Sequence, residues 1–285
     1  MDPLEKALVK ARKQQGLRQL DEQDRRAIFP AEAVNGSGSP AVGQTPPNAA
    51  NSVFRLEQTR KHAVSPRTLA KHRLIAAETG NGIADRYRML RAQVLRRLSA
   101  SGKRSLGICG AGPNAGKSLT AANLAISIAL DPNCTVLLVD FDLRRPTQQK
   151  YFNLDPGPGL VDYLNGGVEL SECLVAPDIG RLVLLPAGLP VRNSSEVLAS
   201  PRVAELMQEL GSRYPDRIVI YDLPPLLSGD DALVALQYIH ATLLVVREGQ
   251  TQAGEIQTCL SLLKDHNLFG TVLNCSRDEN MYPYY

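Results

Sequence analysis

Ala111-Gly112-Pro113-Asn114-Ala115-Gly116-Lys117-Ser118 decides the fold of this 285-residue chain. The segment follows the apolar run Ser105 to Cys109 and opens a helical stretch, Lys117 to Leu130. An Ala or Gly, four variable residues and Gly-Lys-Ser between a strand and a helix form a phosphate-binding loop. Its backbone amides and the positive end of the helix cradle phosphates, Lys117 neutralises the β and γ oxygens, and Ser118 is placed to ligate Mg²⁺.

Outward from this loop, short β-rich runs alternate with helices. The runs are Thr135 to Val139, Leu182 to Leu185, Ile218 to Tyr221, Thr242 to Val246 and Thr271 to Leu273; the helices include Pro201 to Arg213, Asp230 to Tyr238 and Gly254 to His266. Apolar runs without alternation read as strands covered on both faces, as a parallel sheet requires. The expected fold is α/β, a doubly wound, mostly parallel sheet with ligands at the carboxyl ends of its strands.

Two strand ends carry carboxylates. Val136-Leu-Leu-Val-Asp140-Phe-Asp142-Leu-Arg-Arg145-Pro146 spaces two aspartates by two, which in an extended segment puts both on one side. Arg217-Ile-Val-Ile-Tyr-Asp222-Leu-Pro-Pro225 ends in an Asp of Walker B form, expected to hold Mg²⁺.

The P-loop, VDFDLRRP and DLPPLL together resemble the bacterial tyrosine kinases of capsule and exopolysaccharide export. GLVDYLNG, LLPAGLPVRNSSEVLASPRVAEL and GTVLN extend the resemblance over about residues 83 to 276. It implies a P-loop fold of the deviant Walker type, shared with partitioning and cell-division ATPases. Those ATPases carry a further lysine near the loop start, where Gly112 stands here. The resemblance implies ATP and Mg²⁺ as cofactors, with Ala111 to Ser118, Leu119 and Asn274 contacting nucleotide. It gives Asp140 the task of positioning or deprotonating a tyrosine hydroxyl beside Lys117 and Asp142, and it places Mg²⁺ on Ser118 and Asp222.

The implied acceptors are Tyr282, Tyr284 and Tyr285 in the closing MYPYY, and Asp85-x-x-Arg88-x-x-Arg91 resembles the segment through which such kinases form rings. The implied activator is a membrane polysaccharide co-polymerase, or chain-length determinant, on a separate chain, with a protein-tyrosine phosphatase opposing the reaction and no nucleic acid expected. MDPLEKALVKARKQQ resembles the start of autokinases found with exosortase-type loci. A partitioning-type ATPase, and a non-catalytic nucleotide-binding scaffold, remain alternatives on the residues alone.

Composition frames the rest. Residues 55 to 104 hold thirteen Lys/Arg against three Asp/Glu, while 105 to 285 are net acidic. The basic segment could meet an anionic membrane, nucleic acid or a neighbouring copy. The five cysteines are scattered, expected reduced and mostly buried. With no apolar run of membrane-spanning length and no signal-peptide core near the start, the expected location is cytoplasmic, at the inner face of the membrane through the partner. The expected organisation is a short amphipathic helix within 1–34, a flexible linker and basic segment over 35–82, the kinase domain over 83–276, and a mobile tyrosine tail over 277–285.

Overall fold

The computed structural model describes residues 59–212 and 217–276. The amino-terminal helix expected within 1–34, the linker from 35 to 58 and the tyrosine tail lie outside them.

The elements run β1 (Arg60–Lys61), α1 (Pro66–Lys71), α2 (Gly82–Ala100), β2 (Ser105–Gly110), α3 (Lys117–Ala129), β3 (Thr135–Asp140), α4 (Gln148–Tyr151), α5 (Leu160–Leu164) and α6 (Leu170–Cys173). Then follow β4 (Val175–Ala176), β5 (Leu182–Leu185), α7 (Ser194–Leu198), α8 (Pro201–Ser212), β6 (Arg217–Asp222), α9 (Asp231–Leu236), β7 (Ala241–Arg247), α10 (Ala253–Leu262) and β8 (Leu268–Asn274). Among the described residues eight strands form one sheet in the order β1-β4-β5-β3-β6-β2-β7-β8. All pairings are parallel except β4 with β5. The doubly wound sheet expected from the apolar runs is therefore present.

Strand period two distributes the core. Val136, Leu138, Ile218 and Ile220 face a layer built by α2 and α3, whereas Leu137, Val139, Val219 and Tyr221 face the layer that includes α8 and α9. Burial on both faces explains why these strands carry no polar alternation. Helix α3 is apolar around most of its circumference because it lies between the sheet and α2.

The boundary expected at residue 83 falls inside the packed unit. Thr59 is buried, β1 pairs with β4, and Leu74 and Ala76 are only 1% and 2% exposed. Asn123 of α3 pins this stretch: its Oδ1 accepts the Ile75 and Ala76 amides at 2.9 and 3.0 Å, and its Nδ2 donates to Arg73 O at 3.0 Å. The segment from 59 to 82 is thus part of the fold and not a linker. Its two-residue strand and two anchoring side chains are too few to show in a basic, polar sequence.

The order places β3, β6 and β2 side by side, with Asp140 opposite Asp222 and Ile108 opposite Asp222 in register. The P-loop and both carboxylate-bearing strand ends therefore emerge at one edge, and β7 and β8 bring Arg247 and Asn274 there as a paired register position.

Candidate functional site

A cavity of about 610 Å³ opens at this edge, within the range of small-molecule sites. Pro113, Asn114, Gly116, Lys117, Ser118 and Leu119 form its floor. The loop that supplies them needs left-handed backbone at Asn114 (φ 60°) and Gly116 (φ 95°). A Cβ on Gly116 would lie 1.9 Å from Asn274 Nδ2, so any other residue there would drive Asn274 off its contact in addition to straining a φ of 95°. Two side chains hold the loop's outer carbonyls: Asn274 Nδ2 donates to Ala115 O at 2.9 Å, and Arg247 Nη1 to Asn114 O at 3.0 Å.

Lys117 is 6% exposed, its stem runs beneath Gly110, and its Nζ donates to Gly112 O at 3.2 Å. Burial lowers its pKa, while Asp222 and Asp142 favour the ammonium. Asp222 is fully buried and pushed up to about 6, chiefly by burial, with Gln148, Ser118 and the Lys117 ammonium pulling it back.

The pair at 140 and 142 divides in a way that the strand spacing did not anticipate. β3 ends at Asp140 and the chain turns, so the extended geometry that would put both carboxylates on one side stops before Asp142. Asp140 is fully buried; its Oδ2 accepts the Thr147 and Gln148 amides at 2.8 and 2.9 Å, and its Oδ1 the Asp142 amide at 3.3 Å. It closes the 141–148 loop upon itself. Burial, then the neighbouring Asp222 charge, raises its pKa strongly. Asp142 instead lines the cavity, its carboxyl raised by burial and drawn back by the Arg145 amide and Lys117.

Sequence reasoning missed Gln148. Its Nε2 donates to Asp222 Oδ2 at 2.8 Å and to Ser118 O at 3.1 Å, so a single side chain links the metal-type carboxylate to the P-loop helix. It also missed the clasp on the far wall. Arg144 Nε donates to Asp231 Oδ2 at 2.9 Å and to Ser194 Oγ at 2.6 Å, while the Ser194 and Ser195 hydroxyls donate to Asp231 at 2.6 Å each. Burial alone would raise Asp231, but Ser194, Ser195 and Arg144 hold it below the usual carboxylate range. Arg144 stood within a quoted motif; Ser194 and Ser195 lay in a quoted connecting segment without an assigned role.

Phosphate and metal chemistry fit the residues present. Asp222 Oδ1, Gln148 Oε1 and Thr147 Oγ1 are buried and have no hydrogen-bond partner among the described residues. Thr147 lines the cavity with Ser118, and Asp222, whose charge acts on Lys117, keeps an oxygen without a partner; hard oxygens of this kind suit a hydrated Mg²⁺, which takes oxygen ligands and keeps several waters. The expected oligomerisation residues sit elsewhere, on α2. Asp85 pairs with Arg88, Arg88 also donates to Glu78 O at 2.8 Å, and Arg91 donates to Ser127 O at 2.9 Å. All three are engaged within the chain.

No family model matches the chain. Curated proteins do. The tyrosine-protein kinase YwqD of Bacillus subtilis is 31% identical over 71% of this chain and 86% of its own length. The tyrosine-protein kinase ptk of Acinetobacter johnsonii is 32% identical over 66% of this chain, which spans about a quarter of that larger protein. Among solved structures, the kinase domain of the Escherichia coli tyrosine kinase ETK is 28% identical, with a TM-score of 0.67 over 79% of this chain and 92% of that one. With the P-loop, the buried Asp222 and the cavity-lining Asp142 at one sheet edge, and a relative matched along most of its length, the chain belongs to the bacterial tyrosine kinases of capsule and exopolysaccharide biosynthesis.

Proposed function

We propose that this chain transfers the γ-phosphate of ATP, with Mg²⁺, to tyrosines of its own carboxyl-terminal tail, Tyr282, Tyr284 and Tyr285. The observation that supports the reading most is that Lys117, Ser118 and Asp142 line one cavity, with Asp222 buried behind its floor and acting on the Lys117 ammonium.

In the reaction the tyrosine oxygen forms a bond to the γ-phosphorus while the bond from that phosphorus to the β–γ bridging oxygen breaks, releasing ADP; the phenolic proton passes to the Asp142 carboxylate, which lines the cavity. Ala111 to Ser118 cradle the phosphates and Lys117 compensates the charge on the transferring group, which is where most of the rate of phosphoryl transfer arises. Bound Mg²⁺ would supply further charge neutralisation and would be held by Ser118 and Asp222. Asp142, which lines the cavity, orients the tyrosine hydroxyl; Asp140 acts through the loop it closes. Leu119 and Asn274 border the nucleotide, Asn274 mainly by fixing the P-loop carbonyl at Ala115.

The same reading assigns the surface of α2 around Asp85, Arg88 and Arg91, with Ile83 and Met89 exposed beside them, to contact with a second copy in a ring. A membrane chain-length determinant would activate the kinase at the inner membrane face, and a protein-tyrosine phosphatase would reset it, with no role for nucleic acid. No helix among the described residues is long and apolar enough to cross a membrane. The test is mass spectrometry of the purified protein after ATP and Mg²⁺, with the activating membrane segment supplied, beside Lys117→Met. Phosphate on the three tail tyrosines that requires Lys117 supports the kinase; ATP binding without any phosphotyrosine refutes it and favours a nucleotide-gated scaffold.

A further inference from the structure

A second cavity, of about 410 Å³, lies behind the wall of the first. The wall is α4 with its preceding turn: Thr147 and Tyr151 face the nucleotide cavity, while Pro146, Gln149 and Lys150 face the second. The Tyr151 ring meets His72 at 5.9 Å between centroids, so one aromatic pair separates the two spaces.

The second cavity is basic. Lys71, His72 and Lys150 line it, and no Asp or Glu does. Both lysines act on the same imidazole: after burial, their charges are what hold His72 below its ordinary pKa. Among the described residues neither Lys71 nor Lys150 has an ion-pair partner, and Asp155 nearby in the sequence is engaged with His62 at 3.3 Å. Two uncompensated ammonium groups on one concave surface create a site for carboxylates or phosphates. The remaining lining argues for a chain and not a compact anion, because Leu189, which is 79% exposed, and Pro190 give the opening an apolar lip.

We propose that this cavity docks the acidic residues that precede an acceptor tyrosine, and that its occupant is the Asp278-Glu279 pair of this chain's own tail, presented by the same or a second copy. The proposal rests on the kinase reading and adds the substrate class to it: tyrosine peptides with carboxylates three and four positions upstream. The spacing agrees. Asp278 and Glu279 stand four and three residues before Tyr282, a reach of about 10–14 Å for extended chain. A helix with its side chains is about 10–12 Å across. A peptide with its acids on Lys71 and Lys150 can therefore cross α4 and lower Tyr282 toward Asp142.

The test uses the full chain carrying Asp278→Asn and Glu279→Gln, so that its own tail does not compete, and a fluorescent peptide SRDENMYPYY read by anisotropy. Replacing Lys71 and Lys150 by Ala weakens this peptide roughly tenfold, as two part-shielded ion pairs would, and changes the affinity of a peptide with Asn and Gln at 278 and 279 less than twofold. Lys71→Glu with Lys150→Glu recovers affinity for a peptide bearing Asp278→Lys and Glu279→Lys. In turnover, KM for the acidic peptide rises while kcat and KM for ATP hold. Equal losses for the acidic and neutral peptides, or none, overturn the proposal; so does displacement of the peptide by inorganic phosphate or an acidic oligosaccharide at concentrations below the peptide's own Kd. Lysine-dependent binding of the peptide with no phosphate transferred would leave the docking site standing and the kinase reading refuted.

Discussion

Replacing Asp222 by Asn separates what this carboxylate costs the fold from what it does for ligand. The side chain is fully buried, Oδ1 has no partner, and burial pushes its pKa up to about 6. Unfolded, an aspartate titrates near 4. Between about 4 and 6 the native chain therefore holds more protons than the unfolded one, so stability falls as the pH rises through that window. Above it the cost is constant, and because Asp222 and Asp140 act on each other, a pKa difference of roughly 2 sets about 3 kcal/mol as its upper bound for the pair. Asn keeps an acceptor for Gln148 Nε2 but removes the charge. Part of the gain is lost because Lys117, whose ammonium Asp222 favours, becomes less compensated. For a domain of this size, what remains is a rise in melting temperature of roughly 5 °C. The assay is thermal unfolding in EDTA from pH 4 to 8, repeated with ATP and Mg²⁺. The variant should melt higher than wild type at pH 7.5, the gap should shrink below pH 6 and close near pH 4, and Mg-ATP should raise the melting temperature of wild type but not of the variant. A variant equal to or less stable than wild type at pH 7.5 in EDTA would refute the reasoning.

Lys117→Met should abolish ATP-dependent phosphorylation while leaving a folded protein by circular dichroism. Gly116→Ala should lose nucleotide binding in a calorimetric titration, and adding Asn274→Ala should restore only part, since the clash is relieved while the φ of 95° still costs about 1–2 kcal/mol. Arg144→Ala leaves Asp231, 3% exposed, with hydroxyl partners only, and should destabilise by about 2–3 kcal/mol in urea at pH 7. Because Asp231 is held below the usual carboxylate range, wild-type stability from this clasp is present at neutral pH and lost as the pH falls through its folded pKa, so the two proteins should converge in acid. Arg88→Ala with Arg91→Ala should give a smaller species by light scattering and less autophosphorylation; an unchanged size removes the ring assignment.

The P-loop, β2, β3 and β6 were legible in the sequence because each joins an apolar run to a motif whose chemistry fixes where the strand must end. Asn274 was legible as a strand-end position to which the resemblance lent a nucleotide contact, and its hold on Ala115 O needed the neighbouring strands. Gln148, Arg247 and the Ser194–Asp231 clasp were not legible, because each reaches the site from a separate loop or strand end and makes its contacts across long sequence separations. The pairing of Asp140 with the loop at 147–148 was hidden for a different reason. A strand-end aspartate in a kinase-like motif reads as chemistry, and only the three amides converging on it reveal a turn-closing role. Residues 59–82 were hidden by their polarity, since Leu74 and Ala76 are nearly all that they contribute to the interior.

That role of Asp140 bears on how controls for this protein should be chosen. Removing its carboxylate would strip three amides of their acceptor at once and release the turn that carries Asp142, Arg144 and Gln148. Loss of activity in such a variant would report a collapsed wall as readily as a missing reactant. A silent kinase for cellular comparison is better made at Lys117, whose one hydrogen bond among the described residues goes to the adjacent loop carbonyl at Gly112, so that its removal takes no acceptor from the 141–148 turn.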